Sequence, residues 1–331
     1  MTRRPPLILG LALATGCPGP TDSAAPGPRF TAVTFNTGTT EALVPDDVPN
    51  GGYTPVQAGW SDAYYGDGLA FEAVIDGTRA WFDQLDADVV VFQEIFYSGL
   101  CPEVPSEATE GFVCETWSQG DPTVAQVVLG DGWQVACHPG KDDKCAAVRL
   151  DFGHLRGLDD GFHLEGLEGA QVDGCGSGAR VARGVIELAD GAELTLVNVH
   201  GSSGISDEDR GCREAQFRQV FEDMGLGDGQ PATNGEVNLV MGDFNTDPGR
   251  AASFDDSALY LAETVQAGPF TFHSDVGDDA EPSYQGLANI DHVLSDGLDG
   301  GCVVPGVSLE EPEVSGIVFF DHKPVVCDLG W

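Results

Sequence analysis

Short apolar segments recur along the chain between Gly-rich and acidic stretches, and they predict the strands of a β-sheet. Phe30–Phe35 is rich in β-forming residues and largely alternates in polarity, which is typical of a strand. Val89–Phe92 is apolar at every position, and Asn238–Met241 is nearly so. Such runs predict strands buried on both faces, because successive side chains point to opposite sides of a sheet. We predict further strands at Ile290–Leu294 and, closing the chain, at Ile317–Phe320 with Pro324–Cys327.

Two longer segments predict helices. Leu69–Leu85 repeats apolar residues three and four positions apart, and Asp207–Met224 predicts a polar helix. Between them, Val181–Leu188 and Glu193–Val199 predict two strands that meet at Asp190-Gly191, a strong hairpin signal. Because helical segments are interspersed with hairpins and buried strands, the pattern predicts a mixed sheet and the class α/β or α+β.

The segment from Ser98 to Gly178 has no clear period. It is rich in Gly, Asp and Cys, so we expect an elaborated surface region here, covering residues 98–178. No internal repeat is visible on either side of it. We therefore predict one domain over residues 29–331, with this Cys-rich elaboration inside it.

Charge is the unusual feature of the composition. Fifteen Lys and Arg residues stand against 54 Asp and Glu residues, which gives a formal net charge of −39. Tight binding of nucleic acids and other polyanions needs Lys and Arg to neutralise the phosphates. The composition therefore disfavours a stable basic binding face, although a nucleic acid is still possible as a substrate. Nothing in the pattern implies an oligomer.

The first 28 residues predict export. A cationic start at Thr2-Arg3-Arg4 is followed by the apolar run Leu7–Ala14, which is too short to span a bilayer and is built like a secretory signal. Leu13–Cys17 resembles the lipobox of bacterial lipoproteins, in which the signal is removed before a Cys that carries the lipid. We predict a signal peptide over 1–16, a membrane anchor at Cys17 and a Pro/Gly-rich tether over 17–28, which places the protein in the bacterial cell envelope. An ordinary signal peptide with an incidental Cys is the alternative, with a secreted protein as the result.

The cysteines support the export prediction. Setting Cys17 aside leaves eight of the nine Cys residues, an even number suited to disulfides in an oxidising compartment. Connectivity is not readable from a sequence, but short loops favour the first two of the following pairings and elimination leaves the other two. The pairings are Cys101 with Cys114, Cys137 with Cys145, Cys175 with Cys212, and Cys302 with Cys327.

Polar side chains suited to metal or phosphate chemistry lie in or just after the predicted strands, where sites are commonly assembled. Residues two apart on a strand share a face, so Asn198 and His200 can point into one cleft. Neighbouring residues point apart, so one of Gln93 and Glu94 should be structural, and we assign a packing role to His292. The candidates are Asn36, Glu94, Asn198, His200, Asp243, Asn245, Asp291, Asp321 and His322.

The types of these residues indicate the chemistry. Oxygen ligands without clustered Cys or His favour Mg²⁺, Mn²⁺ or Ca²⁺ over Zn²⁺. Two imidazoles among many carboxylates suit general acid–base work or the stabilisation of charge on a phosphoryl group.

Six short motifs, in order, resemble the endonuclease/exonuclease/phosphatase superfamily. The resemblance runs from about Phe30 to the C-terminus, and Phe320 stands where the superfamily often has a small hydroxyl residue. It implies a four-layer sandwich, in which two packed mixed β-sheets are flanked by helices, and metal-assisted phosphoester hydrolysis at the strand ends. The motifs are Phe35-Asn36, Gln93-Glu94, Val197-Asn198-Val199-His200, Gly242-Asp243-Phe244-Asn245, Ile290-Asp291-His292 and Asp321-His322.

The resemblance also implies the metal ligands. Glu94 would be the main ligand, with Asn36 and Asp321 close to the metal. Asp243 would orient or deprotonate the attacking water, or help to hold a second metal.

Four further residues would act on the phosphate by the same resemblance. Asn245 would hydrogen-bond the phosphate, and His322 would contact it while Asp291 orients the imidazole. His200 would be the second imidazole, serving as an acid or as a phosphate donor.

These expectations predict an exported, divalent-metal-dependent phosphoester hydrolase, most specifically a phosphodiesterase such as an extracellular nuclease. A phospholipid phosphodiesterase similar to sphingomyelinases, or an inositol-phosphate phosphoesterase, is the alternative. A lipid-cleaving enzyme would be expected to expose an aromatic hairpin, and no compact stretch of that kind is visible. A non-catalytic surface lipoprotein that retains the fold is the alternative from another class, since function is argued from a site and not from a fold.

Overall fold

The computed structural model describes residues 29–39, 53–176, 180–305 and 320–331. The predicted signal peptide, the whole of the predicted tether over 17–28, including Cys17, and residues 317–319 lie outside these ranges. The described strands are β1 (Arg29–Asn36), β2 (Val89–Gln93), β3 (Trp133–His138), β4 (Lys141–Arg149), β5 (Gly153–Leu155), β6 (Phe162–His163), β7 (Glu168–Ala170), β8 (Arg180–Leu188), β9 (Glu193–His200), β10 (Asn238–Asp243), β11 (Thr271–Phe272), β12 (Asp291–Ser295), β13 (Asp299–Val303) and β14 (Val325–Gly330).

The described helices lie mostly between these strands. The α-helices are α1 (Pro55–Trp60), α2 (Glu72–Leu85), α3 (Val124–Leu129), α4 (Asp207–Phe221), α5 (Pro248–Ala251) and α6 (Asp256–Ala267). Shorter turns are a π-helical turn at Ser61–Tyr65 and 3-10 turns at Ser98–Glu103, Ser106–Ala108 and Val113–Glu115. None of the helices in the described ranges is both long enough and apolar enough to cross a membrane.

The strands form two mixed sheets, as predicted. The first has the order β13-β14-β1-β2-β4-β3-β6, in which β1 runs parallel to β2 and β3 parallel to β6. The second has the order β11-β12-β10-β9-β8-β5, with β7 also pairing with β8 and with β9 parallel to β10. The other neighbours in both sheets are antiparallel.

The two sheets bury their inner faces against each other. Ala32 of β1 and Met241 of β10 belong to the cluster of buried side chains between the sheets. Phe35 belongs instead to a second cluster, with Val74 of α2, on the outer face of the first sheet. A third cluster packs the outer face of the second sheet against Phe217 of α4 and against α6. The order helix, sheet, sheet, helix is the four-layer sandwich that the resemblance implied.

The strand alternation explains the apolar runs. Val89 and Val91 face the space between the sheets, whereas Val90 and Phe92 face the outer helical layer. Both faces of β2 are therefore buried, and a polar residue at any of these positions would lie in a core.

The Gly- and Cys-rich segment differs from the expected surface region. Its strands β3 and β4 lie inside the first sheet, with β4 next to β2, and Val135 and Ala147 are fully buried. The pattern misses β4 because the strand begins with four charged residues, Lys141–Lys144, and its buried half uses Ala, which is a weak strand former. The rest of the segment consists mainly of α3, short strands and 3-10 turns.

The four predicted disulfides are confirmed. Cys137–Cys145 joins β3 to β4, and Cys302–Cys327 joins β13 to β14. Cys101–Cys114 links two of the 3-10 turns, and Cys175–Cys212 links the loop after β7 to α4. A set of four disulfides is typical of proteins that fold in an oxidising compartment, which fits export.

Candidate metal and phosphate site

The inner faces of four strands end in polar side chains at one edge of the sandwich. Each polar residue lies two or four positions from an apolar residue buried between the sheets, so alternation turns it to the same inner side. Three of the strands end here, and β12 begins here because it runs antiparallel to β10. The pairs of polar and apolar residues are Asn36 with Ala32, His200 with Leu196, Asp243 with Met241, and Asp291 with Val293.

Three side-chain oxygens converge beside Gly38. A methyl group on Gly38 would collide with Oε2 of Glu94, and it would lie 3.1 Å from Oδ1 of Asp321 and 3.2 Å from Oδ1 of Asn36. These three oxygens therefore surround a small space that only a residue without Cβ leaves open. We call Asn36, Glu94 and Asp321 the oxygen cradle.

The oxygen cradle holds two half-buried carboxylates. Burial raises the pKa of Glu94 and of Asp321 above their usual values. Repulsion from neighbouring carboxylates raises the pKa of each residue as well. Oδ1 of Asp321 is buried and makes no hydrogen bond within the described part of the chain. Hard oxygens with unmet charge are the donor set that divalent cations such as Mg²⁺ and Ca²⁺ prefer.

Asp243 lies next to the oxygen cradle and is almost fully buried. Its Oδ2 accepts a hydrogen bond from Nδ2 of Asn36 at 2.9 Å, and its Oδ1 accepts one from the backbone N–H of Asn245 at 2.7 Å. Nδ2 of Asn245 also donates to Oδ2 of Asp243, at 3.1 Å. Burial raises the pKa of Asp243 to about 7, against the opposing effect of the nearby His322 charge.

Two imidazoles flank Asp243. Nε2 of His200 lies 3.7 Å from Oδ2 of Asp243 and 3.7 Å from Oε1 of Glu94. Nε2 of His322 lies 3.7 Å from the same Asp243 oxygen. The second nitrogen of His322, Nδ1, lies 2.7 Å from Oδ2 of Asp291, which also accepts a 2.7 Å hydrogen bond from Ser283.

The two imidazoles differ in charge. For His322, burial favours the neutral ring, but Asp291 and Asp243 outweigh burial and raise the pKa to about 10. For His200, burial lowers the pKa well below its usual value, and the positive charge of Lys144 lowers it further. At neutral pH the site therefore pairs an imidazolium at His322 with a neutral imidazole at His200.

Two site residues have a left-handed backbone, at φ +60° for Glu94 and φ +52° for Asn245. Such conformations cost non-glycine residues free energy, and they concentrate at functional sites. At Glu94 the left-handed turn ends β2, after Gln93 has faced inward. Gly242 is needed for a different reason, since a side chain there would collide with the carbonyl oxygen of Val199 on β9.

The residues expected to be structural have structural contacts. Gln93 donates to Oδ1 of Asn198 at 2.7 Å, and Asn198 donates to the carbonyl oxygens of Phe92 and Cys145, so both side chains join the two sheets. Asn198 shares a face with His200, as predicted, but its side-chain amide is taken up by these contacts. His292 faces the outer layer between Phe244 and Phe272.

Two residues near the site were not among the sequence candidates. Ser283 lies in an acidic loop and carried no signal, although it fixes Asp291. Lys144 is buried in β4, pairs with Asp143 at 2.8 Å and lowers the pKa of Glu94, although burial affects that carboxyl more. The sequence feature that could have drawn attention to Lys144 is the scarcity of Lys, because the chain has only three Lys residues.

A comparison with protein-family models matches residues 33–313 to the Endonuclease/Exonuclease/phosphatase family. The chain belongs to this family. The match includes every candidate site residue from Asn36 to Asp291. Enzymes of the family generally use divalent metals, and the three oxygens of the oxygen cradle fit such an ion. A second group, Asp243, Asp291 and His322, could also hold an ion, since it offers three ligand atoms within 4.8 Å of one another.

Solved structures are similar to this chain at low sequence identity. TDP2 from Caenorhabditis elegans has a TM-score of 0.51 and 12% identity, over 92% of this chain and 75% of that chain. The human nocturnin catalytic domain with a bound sulfate anion has a TM-score of 0.49 and 12% identity, over 92% and 93% of the two chains. An endonuclease/exonuclease/phosphatase protein from Beutenbergia cavernae has a TM-score of 0.47 and 13% identity, over 91% and 71%. A search of curated proteins finds no significant match.

Proposed function

We propose that the protein is an exported, divalent-metal-dependent phosphoester hydrolase, and specifically a phosphodiesterase. The observation that carries the proposal is the convergence of three oxygens around one point beside Gly38, next to a buried Asp243 with an imidazole on each side. This arrangement brings a cation site, a base and two nitrogen donors together at one edge of the sandwich. Membership of the family supports phosphoester hydrolysis as the reaction.

Glu94, Asn36 and Asp321 would hold Mg²⁺, or Mn²⁺ or Ca²⁺ in its place. We prefer this set to the Asp243, Asp291 and His322 group because Nδ1 of His322 is already bonded to Asp291. An imidazolium is also a poor metal ligand, since its nitrogens carry protons. When bound, the ion supplies positive charge to a phosphoryl oxygen.

The other residues then have separate tasks. Asp243, with a pKa of about 7, accepts the proton of the attacking water, and Asn245 orients that carboxylate. Nδ2 of Asn245 also donates to the carbonyl oxygen of Gly201 at 3.1 Å, so it would exchange one of its two hydrogen bonds for a phosphate oxygen. His322 donates Nε2–H to a phosphoryl oxygen, and Asp291 holds its ring in position. His200 is neutral, and it donates an N–H hydrogen bond to a phosphoryl oxygen or to the departing oxygen.

The organic part of the substrate distinguishes two kinds of phosphodiesterase. An extracellular nuclease and a phospholipid phosphodiesterase are the two candidates within the class. Hydrolysis of duplex DNA, RNA, sphingomyelin and inositol phosphates in Mg²⁺ should separate them in one experiment. Bis-p-nitrophenyl phosphate serves as a general phosphodiester that either enzyme would cleave.

The test of the reaction is Glu94→Ala. The variant should lose activity on bis-p-nitrophenyl phosphate and should lose the rise in melting temperature caused by Mg²⁺, because the main ligand is gone. Its circular dichroism should stay unchanged, since Glu94 supplies charge to the site and no packing to a core. Asp279→Ala, at an exposed acidic residue of the loop before β12, is the control and should keep both properties.

Two results would count against the proposal. Unchanged turnover of Glu94→Ala would remove this residue from the site. Absence of hydrolysis of every phosphoester by the wild type with any divalent metal would favour the non-catalytic surface lipoprotein.

A further inference from the structure

Tyr284 lies against the imidazole of His322. The centroids of the two rings are 4.8 Å apart, and the ring planes are tilted by 53°. His322 is buried, whereas Tyr284 is half-buried and keeps part of its surface in contact with solvent. One face of the catalytic imidazole is therefore covered by a phenol that a ligand entering the site can reach.

The backbone fixes the position of this phenol. Tyr284 forms isolated antiparallel bridges with His322 and with Ala288. The N–H of Gln285 donates to the carbonyl oxygen of Asp321 at 3.0 Å. The turn that carries Tyr284 is therefore joined directly to the segment that carries Asp321 and His322. A side chain that is held in place before binding loses little freedom when a ligand binds.

Carboxylates of the site lie near the phenol. Burial raises the pKa of Tyr284, and the charges of Asp321, Asp243 and Glu94 raise it further. Asp321 and Glu94 belong to the oxygen cradle, so Tyr284 faces the same space as the proposed cation site. The phenol keeps its proton at neutral pH, and its hydroxyl can therefore donate a hydrogen bond.

The hydroxyl of Tyr284 is available to a bound molecule. Within the described residues it makes no hydrogen bond. By contrast, Tyr65 donates to the carbonyl oxygen of Ala108 at 3.0 Å, and Tyr260 donates to Oε1 of Glu222 at 3.1 Å. A tyrosine hydroxyl that is removed from solvent usually finds such a partner.

A phosphate in this site needs additional donors. Carboxylates such as Glu94 and Asp321 repel an anion, and the bound cation and His322 offset this repulsion in part. Asn245 already makes two hydrogen bonds and has to give one up before it can contribute. A donor that is already fixed in position and has no other partner strengthens phosphate binding at a lower cost.

We infer that the hydroxyl of Tyr284 donates a hydrogen bond to a phosphoryl oxygen of the bound substrate, beside the Nε2–H of His322. This inference rests on the proposed function. Tyr284 then has two tasks, because its ring covers the imidazole of His322 and its hydroxyl binds the phosphate. The two tasks can be tested separately, since Phe has the same ring without the hydroxyl.

The test is Tyr284→Phe. Binding of inorganic phosphate in Mg²⁺, measured by isothermal titration calorimetry, should weaken by about tenfold to a hundredfold, the range of a hydrogen bond to a charged group. The value of kcat/KM for bis-p-nitrophenyl phosphate should fall by a similar factor. The affinity for Mn²⁺ and the melting temperature without phosphate should match the wild type, because the hydroxyl contacts neither the ion nor a core.

Tyr260→Phe is the matched control. It removes the same hydroxyl from a tyrosine of the outer helical layer, where the phenol donates to Glu222. Phosphate affinity and kcat/KM of this variant should equal those of the wild type.

The outcomes separate the inference from the proposed function. Wild-type phosphate affinity and kcat/KM in Tyr284→Phe would overturn the inference, since the ring alone would then explain Tyr284, and would leave the phosphodiesterase intact. A fall in Mn²⁺ affinity by the same factor would also overturn it, because the hydroxyl would then act on the ion. A wild type that neither binds phosphate in Mg²⁺ nor hydrolyses bis-p-nitrophenyl phosphate would count against the phosphodiesterase itself.

Discussion

Gly38 shows how one missing side chain can define a site. Its N–H donates to Oδ1 of Asn36 at 2.9 Å, which orients that amide within the oxygen cradle. A methyl group on Gly38 would occupy the space between the three cradle oxygens. The backbone there is not left-handed, so the substitution strains no dihedral angle.

Gly38→Ala should therefore damage metal binding while the fold is kept. We expect Mn²⁺ affinity to fall by about tenfold to a hundredfold, the scale seen when the surroundings of metal ligands are disturbed. Isothermal titration of Mn²⁺ measures the change. Gly59→Ala is the control, because a methyl group at Gly59 would meet nothing within 4 Å. Equal Mn²⁺ affinity in the two variants would show that the ion does not bind beside Gly38.

The pair of Asp291 and His322 should behave as one unit. Asp291→Asn should lower turnover by about two to four orders of magnitude, the scale of a general acid–base contribution, while metal affinity is nearly unchanged. His322→Ala should be similarly damaging. The double variant should be little worse than either single one, since residues that act together are not additive. Steady-state kinetics on bis-p-nitrophenyl phosphate would show additive losses if the two side chains acted independently.

His292 provides the contrast within the same motif. It is fully buried, bonded to Ser274 and to the carbonyl oxygen of Thr246, and turned away from the site. His292→Ala should keep most activity and should instead lower the free energy of unfolding by about 2 kcal/mol, as expected for lost packing and hydrogen bonds. A loss of turnover equal to that of His322→Ala would contradict the alternation argument for β12.

The sequence predicts a strand well when both of its faces are buried along its whole length. It predicts the burial of an element poorly when one part of that element is charged and another part lies in a core. The sequence of β2 is apolar throughout because both of its faces are buried. The strand β4 passes from a charged edge beside the site into a core, so it has no single period. The helix α4 was predicted from its polarity, but the same polarity hid the fact that Arg213 is one of its buried residues.

Arg213 joins three elements. Its guanidinium donates to Asp255 Oδ2 at 2.7 Å, to Ser257 Oγ at 2.8 Å and to the carbonyl oxygen of Gly204 at 3.1 Å. It thus fixes the loop after β9 and the start of α6 to α4. Arg213→Met should lower the free energy of unfolding by about 3 to 5 kcal/mol, because Asp255 would be left as an unpaired buried charge.

Urea denaturation of Arg213→Met measures this loss, and the pH dependence identifies its cause. Burial raises the pKa of Asp255, but the Ser257 hydroxyl and the Arg213 charge outweigh burial and lower it overall. A lowered pKa adds stability above the ordinary Asp pKa of about 3.9, and this stability is lost as the pH falls through the lower folded value. The difference between wild type and Asp255→Asn should therefore shrink below about pH 3.9. A constant difference would show that the charge of Asp255 contributes nothing.

At the scale of the whole molecule, the sequence predicted side chains that the structure brings together at one edge of the sandwich, but not the distances between them. The motifs lie between residues 35 and 322, and in the structure Asn36, His200, Asp243 and Asp291 lie on inner faces. The convergence itself depends on the packing of two sheets, which no local pattern contains. The cavity of about 400 Å³ beside Glu94 and His200 is lined in addition by Cys212, which a disulfide joins to the distant Cys175.

The anchor is the remaining prediction at this scale. The tether predicted over 17–28 has 12 residues and, fully extended, reaches at most about 40 Å. The domain begins directly after it, where Arg29 of β1 pairs with Asp328 of β14. A lipid on Cys17 would therefore hold the enzyme close to the membrane without contributing to its fold.

Cys17→Ala should therefore release an active enzyme. The wild type should sediment with membranes and should incorporate labelled palmitate, whereas the variant should stay in the supernatant without label. Turnover of bis-p-nitrophenyl phosphate should be equal in the two proteins, because the anchor lies outside the domain that carries the site. A wild type that is already free of the membrane would instead support an ordinary signal peptide, and the eight remaining Cys residues would form the same four disulfides in either case.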